Sequence, residues 1–91
     1  SFQVNDNIKV NLDPIEKKAL SEIISLLEKN PDPDMIQNQI FESAKTNNIP
    51  PNQLFNKLYN ILIGTNRGPR LGPYIFDTGV QRAVKVLKNQ L

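Results

Sequence analysis

The 91-residue chain contains neither cysteine nor histidine. Without cysteine there is no disulfide framework and no thiol nucleophile, and a cytoplasmic setting is the default expectation. Without histidine the commonest general base is missing, along with the usual zinc ligands, so no metal site is expected. Long apolar runs are also lacking, and the opening residues Ser1-Phe2-Gln3-Val4-Asn5-Asp6 lack the basic and apolar regions of a signal peptide. A soluble chain with no membrane partner is therefore expected. At this length one domain with a modest core is expected, with little room for a catalytic cleft and its supporting shell. The expected class is a binding module rather than a self-contained enzyme.

Carboxylates are scarce in the second half. Residues 1–51 carry five lysines against eight carboxylates, a net of −3, whereas residues 52–91 carry Lys57, Arg67, Arg70, Arg82, Lys85 and Lys88 against Asp77 alone, a net of +5. Every arginine lies in that second half. Such a split implies one face that attracts a polyanion and another that does not.

The periodicity reads as helical almost throughout. Phe2, Val4, Ile8, Val10 and Leu12 alternate with mostly polar residues, the pattern of an extended segment. A lone strand has nothing to pair with, so residues 1–12 are read as an extended linker from missing upstream domains and residues 13–91 as the domain itself. Asp13-Pro14-Ile15-Glu16 is a helix start, with an acidic N-cap, proline in the first turn and glutamate three residues after the cap. The stripe Ile15, Ala19, Leu20, Ile23, Ile24 and Leu27 follows. Pro31-Asp32-Pro33-Asp34 ends this helix and starts a second, with the stripe Ile36, Ile40, Phe41 and Ala44, and Asn47-Asn48-Ile49-Pro50-Pro51 breaks it. A third helix is expected from about Asn52 to Ile63, with Leu54, Phe55, Leu58, Ile61 and Leu62 inward and Gly64 as a left-handed cap. Pro73 opens a short helical turn through Asp77. Gly79 then leads into a last helix with Val80, Ala83, Val84, Leu87 and Leu91 on one side and Gln81, Arg82, Lys85, Lys88 and Asn89 on the other. The expected fold is all-α, a small bundle of about five helices with an extended N-terminal segment.

Between the third and fourth elements lies Gly64-Thr65-Asn66-Arg67-Gly68-Pro69-Arg70-Leu71-Gly72-Pro73. Gly64, Gly68 and Gly72 permit unusual backbone angles and close approaches, Pro69 and Pro73 fix φ, and Arg67 and Arg70 project from the resulting frame. With Tyr59, Tyr74 and Phe76 as flat surfaces and Arg82, Lys85 and Lys88 as backbone attraction, this is an inventory for single-stranded RNA. Free amides at the Gly72-Pro73 helix start would add a phosphate seat beside Arg70. Taken singly, the basic helix face is more often a solvated face, the aromatics packing residues and the glycines turn formers.

The string Tyr59-Asn60-Ile61-Leu62-Ile63-Gly64, then Arg67-Gly68-Pro69-Arg70-Leu71-Gly72-Pro73, then Gly79 and a basic helix, closely resembles the end of class I lysyl-tRNA synthetases. Ile40-Phe41-Glu42-Ser43-Ala44-Lys45, Ile49-Pro50-Pro51 and Leu54-Phe55 fit the preceding helices, so the resemblance runs from about Leu12 onward. Glutamyl-tRNA synthetases share the general ending, but the Gly-Pro-Arg-x-Gly-Pro form favours the lysyl type. Thr65 stands where the family often has lysine, which takes one phosphate contact out of the expectation.

The resemblance implies an all-helical anticodon-binding domain, the helix cage of a class I synthetase, and lysine–tRNA ligase activity for the full-length protein. Its partners would be the anticodon loop of tRNA, rather than DNA, and the upstream catalytic domain of the same chain. ATP and magnesium would belong to that catalytic domain. Neither the His-x-Gly-His nor the Lys-Met-Ser-Lys-Ser signature is present, so this stretch is expected to hold no catalytic site and no cofactor. Arg67 and Arg70 would hold phosphates or stack, Tyr59 or Tyr74 would stack, and Arg82, Lys85 and Lys88 would attract the backbone. The alternatives are a glutamyl-type domain, a helical protein-interaction module using Leu71, Tyr74, Ile75 and Phe76, and, more remotely, a nuclease.

Overall fold

The Asp13 side chain accepts a hydrogen bond from the Glu16 amide at 2.7 Å, and Glu16 Oε1 accepts one from the Asp13 amide at 2.9 Å. This reciprocal capping box opens α1 (Pro14–Leu27) as the sequence predicts. In the computed structural model, which describes residues 9–91, four further helices follow: α2 (Pro33–Thr46), α3 (Pro51–Leu62), α4 (Leu71–Thr78) and α5 (Val80–Lys88). The protein is all-α, and no strand occurs among the described residues.

Residues with positive φ stand at the junctions between helices: Asn30 at 55°, Asn48 at 57°, Gly64 at 85° and Gly79 at 125°. Asparagine tolerates the left-handed region better than other side chains, which accounts for two members of the asparagine-rich composition. A third, Asn47, is buried and donates to Glu22 Oε1 at 3.1 Å and to the Ser43 carbonyl at 2.7 Å, tying α2 to α1.

The core is formed by Leu20, Ile23 and Leu27 of α1, Ile36 and Ile40 of α2, Leu54, Leu58 and Leu62 of α3, Leu71 and Ile75 of α4, and Leu87 of α5, all almost wholly excluded from solvent. The helices α1, α3 and α4 each pack against both α2 and α5, so those two are bridged from three directions. Each such buried side chain contributes about 1.5–3 kcal/mol of transfer free energy. A leucine-to-alanine change at any of these positions is therefore expected to cost about 2–5 kcal/mol.

Four sequence expectations are corrected. Ile15 is 54% exposed, because the inward place in the first turn of α1 goes to Glu16, whose second oxygen accepts from Gln53 Nε2 at 2.8 Å. Phe41 is 48% exposed and packs on Phe55 rather than in the core. Leu91 lies beyond the end of α5 and is exposed, while Val86 is buried instead. The fourth helix starts at Leu71, two residues before Pro73.

Of the expected extended segment, Phe2, Val4 and Ile8 lie outside the described residues. Residues 9–12 form neither helix nor strand. Val10 and Leu12 are half-buried against the core, the Val10 amide donates to Gln90 Oε1 at 3.0 Å, and Lys9 Nζ donates to the Asn89 carbonyl. Lys57 Nζ donates to the Asn11 carbonyl at 2.6 Å, joining this segment to α3.

Candidate nucleic-acid interface

The loop from Ile63 to Arg70 is fastened to the last two turns of α3 by side chains. The Gly64 amide donates to the Tyr59 and Asn60 carbonyls at 3.0 and 3.2 Å, closing α3 with the left-handed cap the sequence predicts. Asn60 Nδ2 donates to the Asn56 carbonyl at 2.8 Å and to Asn66 Oδ1 at 3.0 Å, and Thr65 Oγ1 donates to the Arg67 carbonyl at 2.6 Å. The Tyr59 hydroxyl donates to the Pro69 carbonyl at 2.9 Å. A Cβ at Gly68 would stand 3.1 Å from Ile63 Cδ1 and 3.5 Å from the Tyr59 ring, so the loop lies down on these two side chains. Arg67 therefore projects into solvent from a frame held at both ends.

Arg70 is the N-cap residue of α4, and its guanidinium comes within 4.0 Å of the Asp34 carboxylate on α2. Both side chains are largely exposed, at 62% and 85%, so the pair is weak and open to exchange for a phosphate. The phosphate seat expected at Gly72-Pro73 is not formed. The Gly72 amide donates to Gln37 Oε1 at 2.7 Å in a buried contact, and Pro73 has no amide hydrogen. Gly72 is thus a packing residue between α2 and α4 rather than a loop former. A Cβ there would stand 2.3 Å from the Pro33 carbonyl oxygen and 2.9 Å from Gln37 Cβ.

Tyr74 and Arg82 meet at the junction of α4 and α5. Burial pushes the half-buried Tyr74 phenol above its ordinary pKa, and the nearby Arg82 guanidinium opposes this to a smaller extent. Arg82, Lys85 and Lys88 are all exposed on α5, as their spacing predicts. Lys88 is engaged within the fold, its Nζ 2.9 Å from Glu28 Oε2 at the end of α1. Lys57 is engaged too, on the Asn11 carbonyl and 4.0 Å from the buried Glu16 carboxylate. Of the basic second half, Arg67, Arg70 and Arg82 present exposed side chains with no carboxylate in hydrogen-bond range among the described residues.

The structure thus joins Tyr59, Gly64, Gly68 and Pro69 around Arg67, sets Arg70 beside α2, joins Tyr74 to Arg82 and turns Lys88 to α1. Gln37, Asn60 and Asn66 are contributors that the sequence reading missed. Asn60 and Asn66 flank the loop and carried a local signal. Gln37 is 35 residues from its partner and carried none. Among the described residues no cluster of carboxylates could hold a metal ion, and no helix is long and apolar enough to cross a membrane.

No family model matches the chain. It is 38% identical over 82 residues to the lysine–tRNA ligase of Cenarchaeum symbiosum (strain A), a match covering 90% of this chain and 15% of that protein. It is 36% identical over 89 residues to the lysine–tRNA ligase of Borrelia garinii subsp. bavariensis, covering 94% of this chain and 17% of that one. It is 35% identical over 82 residues to that of Thermococcus kodakarensis, covering 88% and 16%. The chain therefore spans about 15% of the length of these curated relatives. Over about nine tenths of its residues it is homologous to one segment of the lysine–tRNA ligases.

Proposed function

We propose that this chain is the C-terminal anticodon-binding domain of a class I lysyl-tRNA synthetase. It holds the anticodon loop of lysine tRNA while a catalytic domain of the same protein performs ATP-dependent aminoacylation. The observation that carries this reading is the 38% identity to a lysine–tRNA ligase over 90% of the chain, since similarity of that extent to a tRNA-charging enzyme supports tRNA as the ligand. ATP and magnesium are assigned to the catalytic domain, and no residue of this chain is given a role toward them.

The mechanism is binding. Arg67 stands on a loop whose backbone is already fixed by Tyr59, Asn60 and Thr65, so little conformational entropy is lost when it meets a phosphate. Arg70 exchanges its loose contact with Asp34 for a phosphate oxygen, and Arg82 and Lys85 add charge along α5. Uridines, which dominate lysine anticodons, stack weakly, so discrimination falls to hydrogen bonds on their edges. The protein-interaction alternative keeps only Phe76 and part of Tyr74 of its four residues, because Leu71 and Ile75 are core residues. The glutamyl alternative finds no support among relatives that are lysine–tRNA ligases.

The test is a titration of the folded chain with lysine-tRNA anticodon stem-loops, intact and with each anticodon base changed in turn, at two salt concentrations. Salt-sensitive binding that weakens on anticodon substitution is expected. Equal binding to every stem-loop would reduce the domain to a general RNA grip, and no binding at low salt would overturn the reading.

A further inference from the structure

We propose that Phe41, Phe55 and Tyr59 form a stacking platform for unpaired bases, which extends the RNA site from the arginine loop across α3 to α2. The proposal rests on the anticodon-binding reading above and adds residues that it does not assign. The Phe41 ring centroid is 4.9 Å from that of Phe55 with the planes at 56°, and the Phe55 centroid is 6.4 Å from that of Tyr59 at 38°. Tyr59 in turn lies against Gly68 and holds the Pro69 carbonyl. The three rings are therefore continuous with the loop that carries Arg67.

Phe41 is an aromatic ring with about half its surface in water. A single exposed apolar side chain needs no explanation, but a row of three rings leading to a fixed arginine loop does. The surroundings indicate what covers it. On α2 the exposed neighbours of Phe41 one turn away are Asn38 and Lys45, and on α3 Asn52 and Asn56 flank Phe55, also exposed. Between Ser43 and Phe76 the chain carries four cations and no carboxylate. Lys57 is engaged with Asn11 and Glu16 and Arg70 lies 4.0 Å from Asp34, so Lys45 and Arg67 are the cations this surface offers most directly. Glu42, next to Phe41, projects about 100° around the helix from it.

Rings for bases, amides for base edges and exposed cations for phosphates are together the chemistry that accommodates single-stranded RNA. The centroids span at most about 11 Å from Phe41 to Tyr59. The tilts between the rings favour splayed bases over one continuous stack.

The experiment compares Phe41→Ala, Phe41→Leu and Phe41→Tyr in binding to the lysine-tRNA anticodon stem-loop, with ring-proton NMR shifts of Phe41 and Phe55 recorded during the titration. The side chain is half exposed, so the variants are expected to stay folded, and a melting curve checks each. Alanine and leucine are expected to weaken binding about tenfold without altering the salt slope, tyrosine to retain it, and both phenylalanine rings to shift on RNA addition. Full affinity in Phe41→Ala overturns the platform while leaving the anticodon reading intact. Full affinity in Phe41→Leu also overturns it, because leucine preserves an apolar protein-docking face but offers no ring. A folded wild-type chain that binds no stem-loop overturns both proposals together.

Discussion

At the scale of single residues, the most constrained position in the site is Gly72. A methyl group there meets a backbone carbonyl oxygen of α2 at 2.3 Å, and backbone cannot turn aside as a flexible side chain can. Gly72→Ala is expected to force α4 away from α2 and to cost about 1–3 kcal/mol, measured by urea denaturation against wild type. Wild-type stability in that variant would mean that α2 and α4 are held far less tightly than the geometry states. Tyr74 gives a second residue-level prediction. Its phenol is held above the ordinary pKa of 10.0 by burial, with Arg82 opposing. The folded state therefore binds this proton more tightly than the unfolded state does. The associated stability is fully present below about pH 10 and is lost as pH rises through the folded value. Thermal melts above pH 10 are expected to fall more steeply for wild type than for Tyr74→Phe, and parallel curves would contradict the assignment.

At the scale of elements, the arginine loop behaves as an extension of α3, because its fastenings come from Tyr59 and Asn60. Tyr59→Phe keeps the ring under Gly68 and removes the hydroxyl from the Pro69 carbonyl. It is expected to cost about 0.5–1.5 kcal/mol and to raise amide hydrogen exchange in residues 65–70 while α1 is unaffected. Unchanged exchange in the loop would show that the hydroxyl does not hold it.

Which elements were legible follows from the range of the interactions that make them. The start of α1 could be read because Asp13, Pro14 and Glu16 act on one another within a single turn, and the Gly64 cap for the same reason. The inward side of each helix was legible from periodicity, but its edge was not. Ile15 and Phe41 fall just inside a helical stripe, yet about half of each side chain is left in solvent. The buried role of Gly72 and the capping role of Gln37 are set by how α2 and α4 meet, and nothing within a few residues of either position encodes that approach.

At the scale of the whole molecule, the sequence divides formal charge into −3 and +5, but the fold redistributes that excess. Lys57 secures the segment at residues 9–12 and lies near buried Glu16, and Lys88 pairs with Glu28, so two of the six basic residues in the second half act inward or across the surface. Arg67 and Arg82 are exposed, and Arg70 has only its loose contact with Asp34. If counterion release from RNA drives binding, the slope of log affinity against log salt reports how many of these meet phosphate, at about 0.7 per contact for a single strand. Arg67→Ala is expected to flatten that slope by about 0.7. Lys57→Met, which removes a cation already occupied by the Asn11 carbonyl, is expected to leave the slope unchanged even where it lowers stability. Binding isotherms at four or five salt concentrations separate the two variants. Equal flattening by both would mean that net charge rather than the fixed loop attracts the RNA, and an unchanged slope in Arg67→Ala would remove Arg67 from the interface.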